Sequence, residues 1–144
     1  MGSGGWGWGR DEVMMDEKAY RKLKVWQEAM DLVQAVYTLT TLLPDDERFG
    51  LSSQMKRASV SVAANIAEGY GRSHRGDYLR HLSIARGSLM ELETHLTLVV
   101  RLSQCDREAA RPVWRSAQRT GKMLTRLIQS LTAPPRPQTP DPRP

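Results

Sequence analysis

The chain has 144 residues, of which 40% are hydrophobic and 26% charged, and it carries a formal net charge of +5; these proportions fit one small globular domain with polar ends. No unbroken run of apolar residues exceeds three, against about 20 for a transmembrane helix, which excludes a membrane span as well as the apolar stretch of a secretory leader. The single Cys105 cannot close an internal disulfide, and a reducing cytoplasm is the default setting.

The chain opens on Met1-Gly-Ser-Gly-Gly-Trp-Gly-Trp-Gly9, too rich in glycine to nucleate structure. Residues 1–18 therefore read as a flexible arm, with Met14 and Met15 as alternative starts. At the other end, six of the twelve residues 133–144 are proline, which forbids a helix and favours a disordered, extended tail. In such a tail the match of Pro137-Gln-Thr-Pro140 to a PxxP motif is nearly automatic. Residues 19–132 remain as the folded part.

Within them apolar residues recur at alternating spacings of three and four in four segments, the period of amphipathic helices. The first stripe is Leu23, Trp26, Met30, Val33, Tyr37 and Thr40, interrupted by Pro44-Asp-Asp as a helix end and turn should be. The second runs through Leu51, Met55, Ala58, Val62 and Asn65 to Gly69-Tyr-Gly71, where glycine would supply a left-handed C-terminal cap. The third follows the N-cap candidate Ser73 with Tyr78, Leu82, Ala85, Leu89, Leu92, Leu96 and Val99. The fourth carries Ala110, Val113, Ala117, Thr120, Leu124, Leu127 and Leu131, and starts either at Asp106 or near Pro112, a residue best tolerated at the first helical position. No two-residue strand alternation competes. Four helices of about 18 to 26 residues on short connections predict an all-α, antiparallel up-down-up-down four-helix bundle.

Helix 1 has more apolar surface than a bundle requires. Val25, Ala29, Leu32, Val36, Leu39 and Leu43 form a second stripe beside the first, and at 100° per residue the two together span about 200°, against somewhat more than about 100° for one core-facing face. One stripe should meet another surface, most simply a second copy of the chain, which makes Val25, Leu32, Val36 and Leu39 the candidate oligomer interface. The alternative is a helix 1 sunk unusually deep in its own bundle.

Residues suited to catalysis are few. No Glu stands three residues before a His, as bundle di-metal sites need, and there is no HExxH, GxSxG, phosphate-loop or CxxC motif. Asp77 with His81 and Glu91 with His95 read as i, i+4 surface pairs, and Cys105 as an incidental thiol. No catalytic set, metal site or cofactor is expected. Asn65 lies on the apolar stripe of helix 2, where a polar side chain needs partners. It reads either as a small-molecule contact or as a structural residue that fixes helix register, with Glu68 bonding a nearby base such as Arg72.

Charge is concentrated in the second half. Residues 72–131 hold eleven Lys or Arg against five Asp or Glu, while residues 19–71 hold six of each. On helix 4, Arg111, Arg115, Arg119, Lys122 and Arg126 follow at spacings of 4-4-3-4, within about 80° of circumference opposite the apolar stripe. Five like charges repel unless a polyanion or acidic groups of another chain lie against them, and arginine's planar fork suits phosphate. RNA or DNA held through its backbone phosphates is the reading this supports, with a solvated face or a neighbouring subunit as the alternative. Arg72, Arg75 and Arg80 could extend the patch, and Trp6 and Trp8 could stack on bases.

Leu23-Lys-Val-Trp-Gln-Glu-Ala29, Leu43-Pro-Asp-Asp-Glu-Arg-Phe-Gly-Leu51, Gln54-Met-Lys-Arg-Ala58, Asn65-Ile-Ala-Glu-Gly69 and Gly87-Ser-Leu-Met-Glu-Leu92 together resemble the bacterial four-helix-bundle proteins encoded in 23S rRNA intervening sequences, ribosomal-protein-like in label. The resemblance covers about residues 19–131 and implies a homo-oligomeric ring, a homopentamer, with ribosomal RNA as partner. In it the Asn65, Glu68 and Gly69 motif closes helix 2. The chain is also similar to the accessory proteins of diversity-generating retroelements, which implies a protein partner, a reverse transcriptase, as the alternative role.

Overall fold

The computed structural model describes residues 19–47 and 50–133; the glycine- and tryptophan-bearing arm and the proline-rich tail read from sequence lie outside the described residues. Four α-helices follow in order: α1 Lys24–Thr40, α2 Leu51–Tyr70, α3 Arg75–Arg101 and α4 Arg107–Thr132, with 3-10 turns at Ala19–Lys22 and Asp45–Glu47. No strand occurs among the described residues. Each helix packs on its chain neighbours and α4 closes on α1, the arrangement that short connections impose on an up-down-up-down bundle.

The stripes on α2, α3 and α4 become the core. Met55, Val62 and Ile66 meet Leu82, Leu92 and Val99, with Val113, Ala117 and Leu124 on the fourth side, all 1% exposed or less. Two helix ends differ in detail from what the sequence suggests, and a third is decided between the two starts it offers. Helix α4 starts at Asp106, whose side chain accepts a 2.9 Å bond from the Ala109 backbone N–H, and it runs on through Pro112. Helix α3 is capped by His74 and not by Ser73, because the His74 carbonyl already accepts from Asp77 and Tyr78. At the end of α2, Gly71 sits at φ −82°, so no left-handed cap forms there.

The left-handed residue is instead Ser103, at φ 59° after α3. Gln104 N–H bonds Val99 at 2.8 Å and Ser103 N–H bonds Val100 at 3.0 Å, the paired closure that normally places glycine at this position. Ser103→Gly is therefore expected to stabilise the protein by about 1 kcal/mol, the strain of a side chain in that region, read as an increased urea midpoint at constant slope.

One long-range clamp joins the two loops at this end. Glu47 accepts from the Leu51 backbone N–H at 3.0 Å and from the Gln104 side chain, which ties the α1–α2 turn to the α3–α4 turn. Those two bonds, the backbone one first, hold the Glu47 carboxyl below its ordinary range. The clamp is therefore fully present above the usual carboxylate range and is released as pH falls through the lowered value.

Candidate nucleic-acid interface

The five basic residues of α4 share one outward face, because the helix is held by its opposite, apolar side. They are not equally available. Arg111 lies on Glu108 at 2.6 Å, and its hydrogen bond and charge keep the Glu108 carboxyl below the ordinary range, with a smaller effect from Arg115. Arg119 reaches across to Glu28 of α1 at 3.2 Å. Glu28 is only 14% exposed and also accepts a 2.7 Å bond from the Ser116 hydroxyl, so this pair is part of the α1–α4 seam. Arg115, Lys122 and Arg126 remain exposed, with no ion pair among the described residues.

Sequence spacing missed Glu28, which lies on a different helix. It also missed Arg86 of α3, which lines the same surface groove as Lys122 and Arg126. Arg72 pairs with Glu68 at 2.7 Å at the end of α2, as the sequence suggests.

Asn65 sits in the α2–α3 seam, the most closely packed of the four. Its Nδ2 donates to the Ser61 carbonyl at 2.9 Å, and its Oδ1 stands 3.0 Å from His81 Nδ1. Ser61 and Ser88 hydroxyls meet at 2.8 Å one turn further along. His81 is therefore not a surface partner of Asp77: it is buried and turned toward α2, because Gly69 lets the helices approach until a Cβ at that position would stand 2.7 Å from His81 Cβ. These bonds join the two helices, while His81 Nε2 is buried with no hydrogen-bond partner among the described residues.

The two faces of α1 are the reverse of the sequence expectation. Val25, Leu32, Val36 and Leu39 are 0–6% exposed in the core of their own bundle. Outward lie Met30, 42% exposed, and Tyr37, 45% exposed, with half-buried Trp26 and Val33 and with Val60 of α2. The reason is chemical: the first set is wholly aliphatic, whereas Trp26 and Tyr37 bring polar atoms that a core would have to satisfy; Thr40, at the end of that stripe, is buried and donates its hydroxyl to the Tyr37 carbonyl at 2.8 Å. Arg21 lies 5.5 Å from the Trp26 ring centre and Lys56 lies 5.0 Å from that of Tyr37, leaving cations over both rings.

No group of three or more His, Cys, Asp or Glu able to hold a metal occurs among the described residues. Burial, and then the Asp106 carboxylate, push the Cys105 thiol up and away from thiolate. No helix among the described residues is long and apolar enough to cross a membrane.

Fold and surface together define a small four-helix bundle with a cationic fourth helix. Residues 21–126 match the 23S rRNA-intervening sequence protein family, and the chain belongs to that family. Among solved structures it is similar to a protein of unknown function from the S23 ribosomal protein family of Bacteroides thetaiotaomicron. The two share 26% identity with a TM-score of 0.66, over 73% of this chain and 98% of that one. No functionally curated protein matches.

Proposed function

We propose that this chain is a non-enzymatic, cytoplasmic RNA-binding protein that associates with ribosomal RNA through α4 and acts as a homo-oligomer, a pentamer. The observation that carries the reading is the exposed set Arg115, Lys122 and Arg126, three cations in register without a carboxylate partner. Such a row is mildly self-repelling in water and is stabilised by phosphates laid against it. The family's name ties it to intervening sequences of 23S rRNA, which favours ribosomal RNA as the polyanion, and an oligomer would present the row several times and multiply a weak contact by avidity.

Crosslinking in cells followed by sequencing of the copurified nucleic acid tests the partner. Enrichment of ribosomal RNA is the expected result. Recovery of a protein partner such as a reverse transcriptase without RNA would replace this reading with the adaptor role. Self-association is tested on the outward face of α1. Met30→Glu with Tyr37→Glu is expected to convert the oligomer to monomer in light scattering while the melting temperature of the bundle changes little, since both side chains are largely outside the core.

A further inference from the structure

The α3–α4 seam is the most sparsely packed of the four, and two grooves open along it. The one nearer the α3–α4 loop has a volume of about 500 Å³, inside the about 300–1,000 Å³ range of ligand pockets. Its floor is Leu96, Val100 and Ala110, and its walls carry Arg101, Arg107 and Trp114. Trp114 leaves 43% of its surface open beside those cations. No ion pair among the described residues engages Arg101 or Arg107. Further along the same seam, Arg86, Lys122 and Arg126 ring the second groove. Trp114 and Lys122 stand eight residues apart on α4, about 12 Å along the axis.

Cations alone would suit the phosphates of any nucleic acid. The exposed indole narrows the choice. In a duplex each base is paired and stacked on its neighbours and has no free face to offer, whereas an unpaired base can lie against an aromatic side chain. The one carboxylate lining the second groove, Glu93, accepts a 3.2 Å bond from the Gln118 side chain of α4, and burial holds its carboxyl above the ordinary range. We propose that the α3–α4 groove takes a single-stranded RNA segment, with one unpaired base on Trp114, its flanking phosphates on Arg101 and Arg107, and the strand continuing toward Lys122 and Arg126. This rests on the RNA-binding reading above and specifies the form of RNA.

The full chain is titrated with a short labelled oligouridine and with an RNA duplex of equal length, as wild type, as Trp114→Leu and as Arg101→Glu with Arg107→Glu, each checked for unchanged helicity. Trp114→Leu is expected to weaken oligouridine binding about tenfold, the loss of one stacked base, and to leave duplex binding within about twofold. The arginine pair variant should weaken oligouridine at least as much. Wild-type affinity for oligouridine in Trp114→Leu, equal loss on both RNAs, or competition by an acidic peptide as effective as that by unlabelled oligouridine would each overturn the groove assignment while RNA binding stands. Failure of the wild type to bind either RNA overturns both.

Discussion

A protein carrying Arg115→Glu, Lys122→Glu and Arg126→Glu is expected to bind RNA about a hundredfold more weakly at low salt, with its melting temperature little changed. The three side chains are exposed and make no ion pair among the described residues, so no structural contact is lost with them. Each phosphate contact removed should lower the slope of log affinity against log salt by about one, and the triple variant by about three. The choice of residues matters. Arg119→Glu would set a second carboxylate against Glu28, which is mostly buried and committed to Ser116, and the resulting repulsion would confuse lost binding with lost stability. Arg111→Glu would likewise face Glu108. A triple variant that binds with wild-type affinity and salt slope would remove α4 from the interface.

Gly69→Ala is expected to destabilise the bundle by about 2 kcal/mol, whereas Gly71→Ala, two residues on, should stay within about 0.5 kcal/mol of wild type. A Cβ on Gly69 would stand 2.7 Å from His81 Cβ and 3.3 Å from the Tyr78 carbonyl oxygen. Those atoms belong to the backbone-anchored part of α3 and cannot swing aside, so the helices must separate and the Asn65–His81 bond must lengthen. The gain from replacing a helical glycine, about 1 kcal/mol, offsets only part of that overpacking. On Gly71 the nearest atom would be the Glu68 carbonyl oxygen at 3.6 Å, an ordinary contact, and its φ of −82° suits alanine. Thermal melts check the pair, with a fall of about 10 °C expected for Gly69→Ala alone. Equal melting temperatures would show that the motif's glycine serves chain conformation and not helix contact.

These two sites differ in how far the primary structure reveals them. The cationic row on α4 is visible as a 4-4-3-4 spacing, because a helix repeats its faces every 3.6 residues and charge on one side needs no partner to be recognised. The glycine's role is not, since a close approach depends on what the facing helix places opposite, here His81 and Tyr78, twelve and nine residues away but on another rod. The same holds for Glu28, whose pairing with Arg119 removes one of the five cations from the free row across a separation of more than ninety residues. The chemical difference between the two stripes of α1, one wholly aliphatic and one bearing Trp26 and Tyr37, was written in the residues and indicates the core side. Spacing by itself is blind to it, because the two stripes are equally periodic.

Apolar periodicity, together with Pro44, the Gly69-Tyr-Gly71 segment and the loop around Asp106, determined four helices, their order and the basic character of the last, since each is a property of one segment and its own repeat. Tertiary structure decided which side of α1 turns inward, which arginines are free, and that a tryptophan and two unpaired arginines share one groove on the α3–α4 seam. Those are relations between helices, fixed by side-chain volume and the satisfaction of polar atoms across seams, and no single segment contains them.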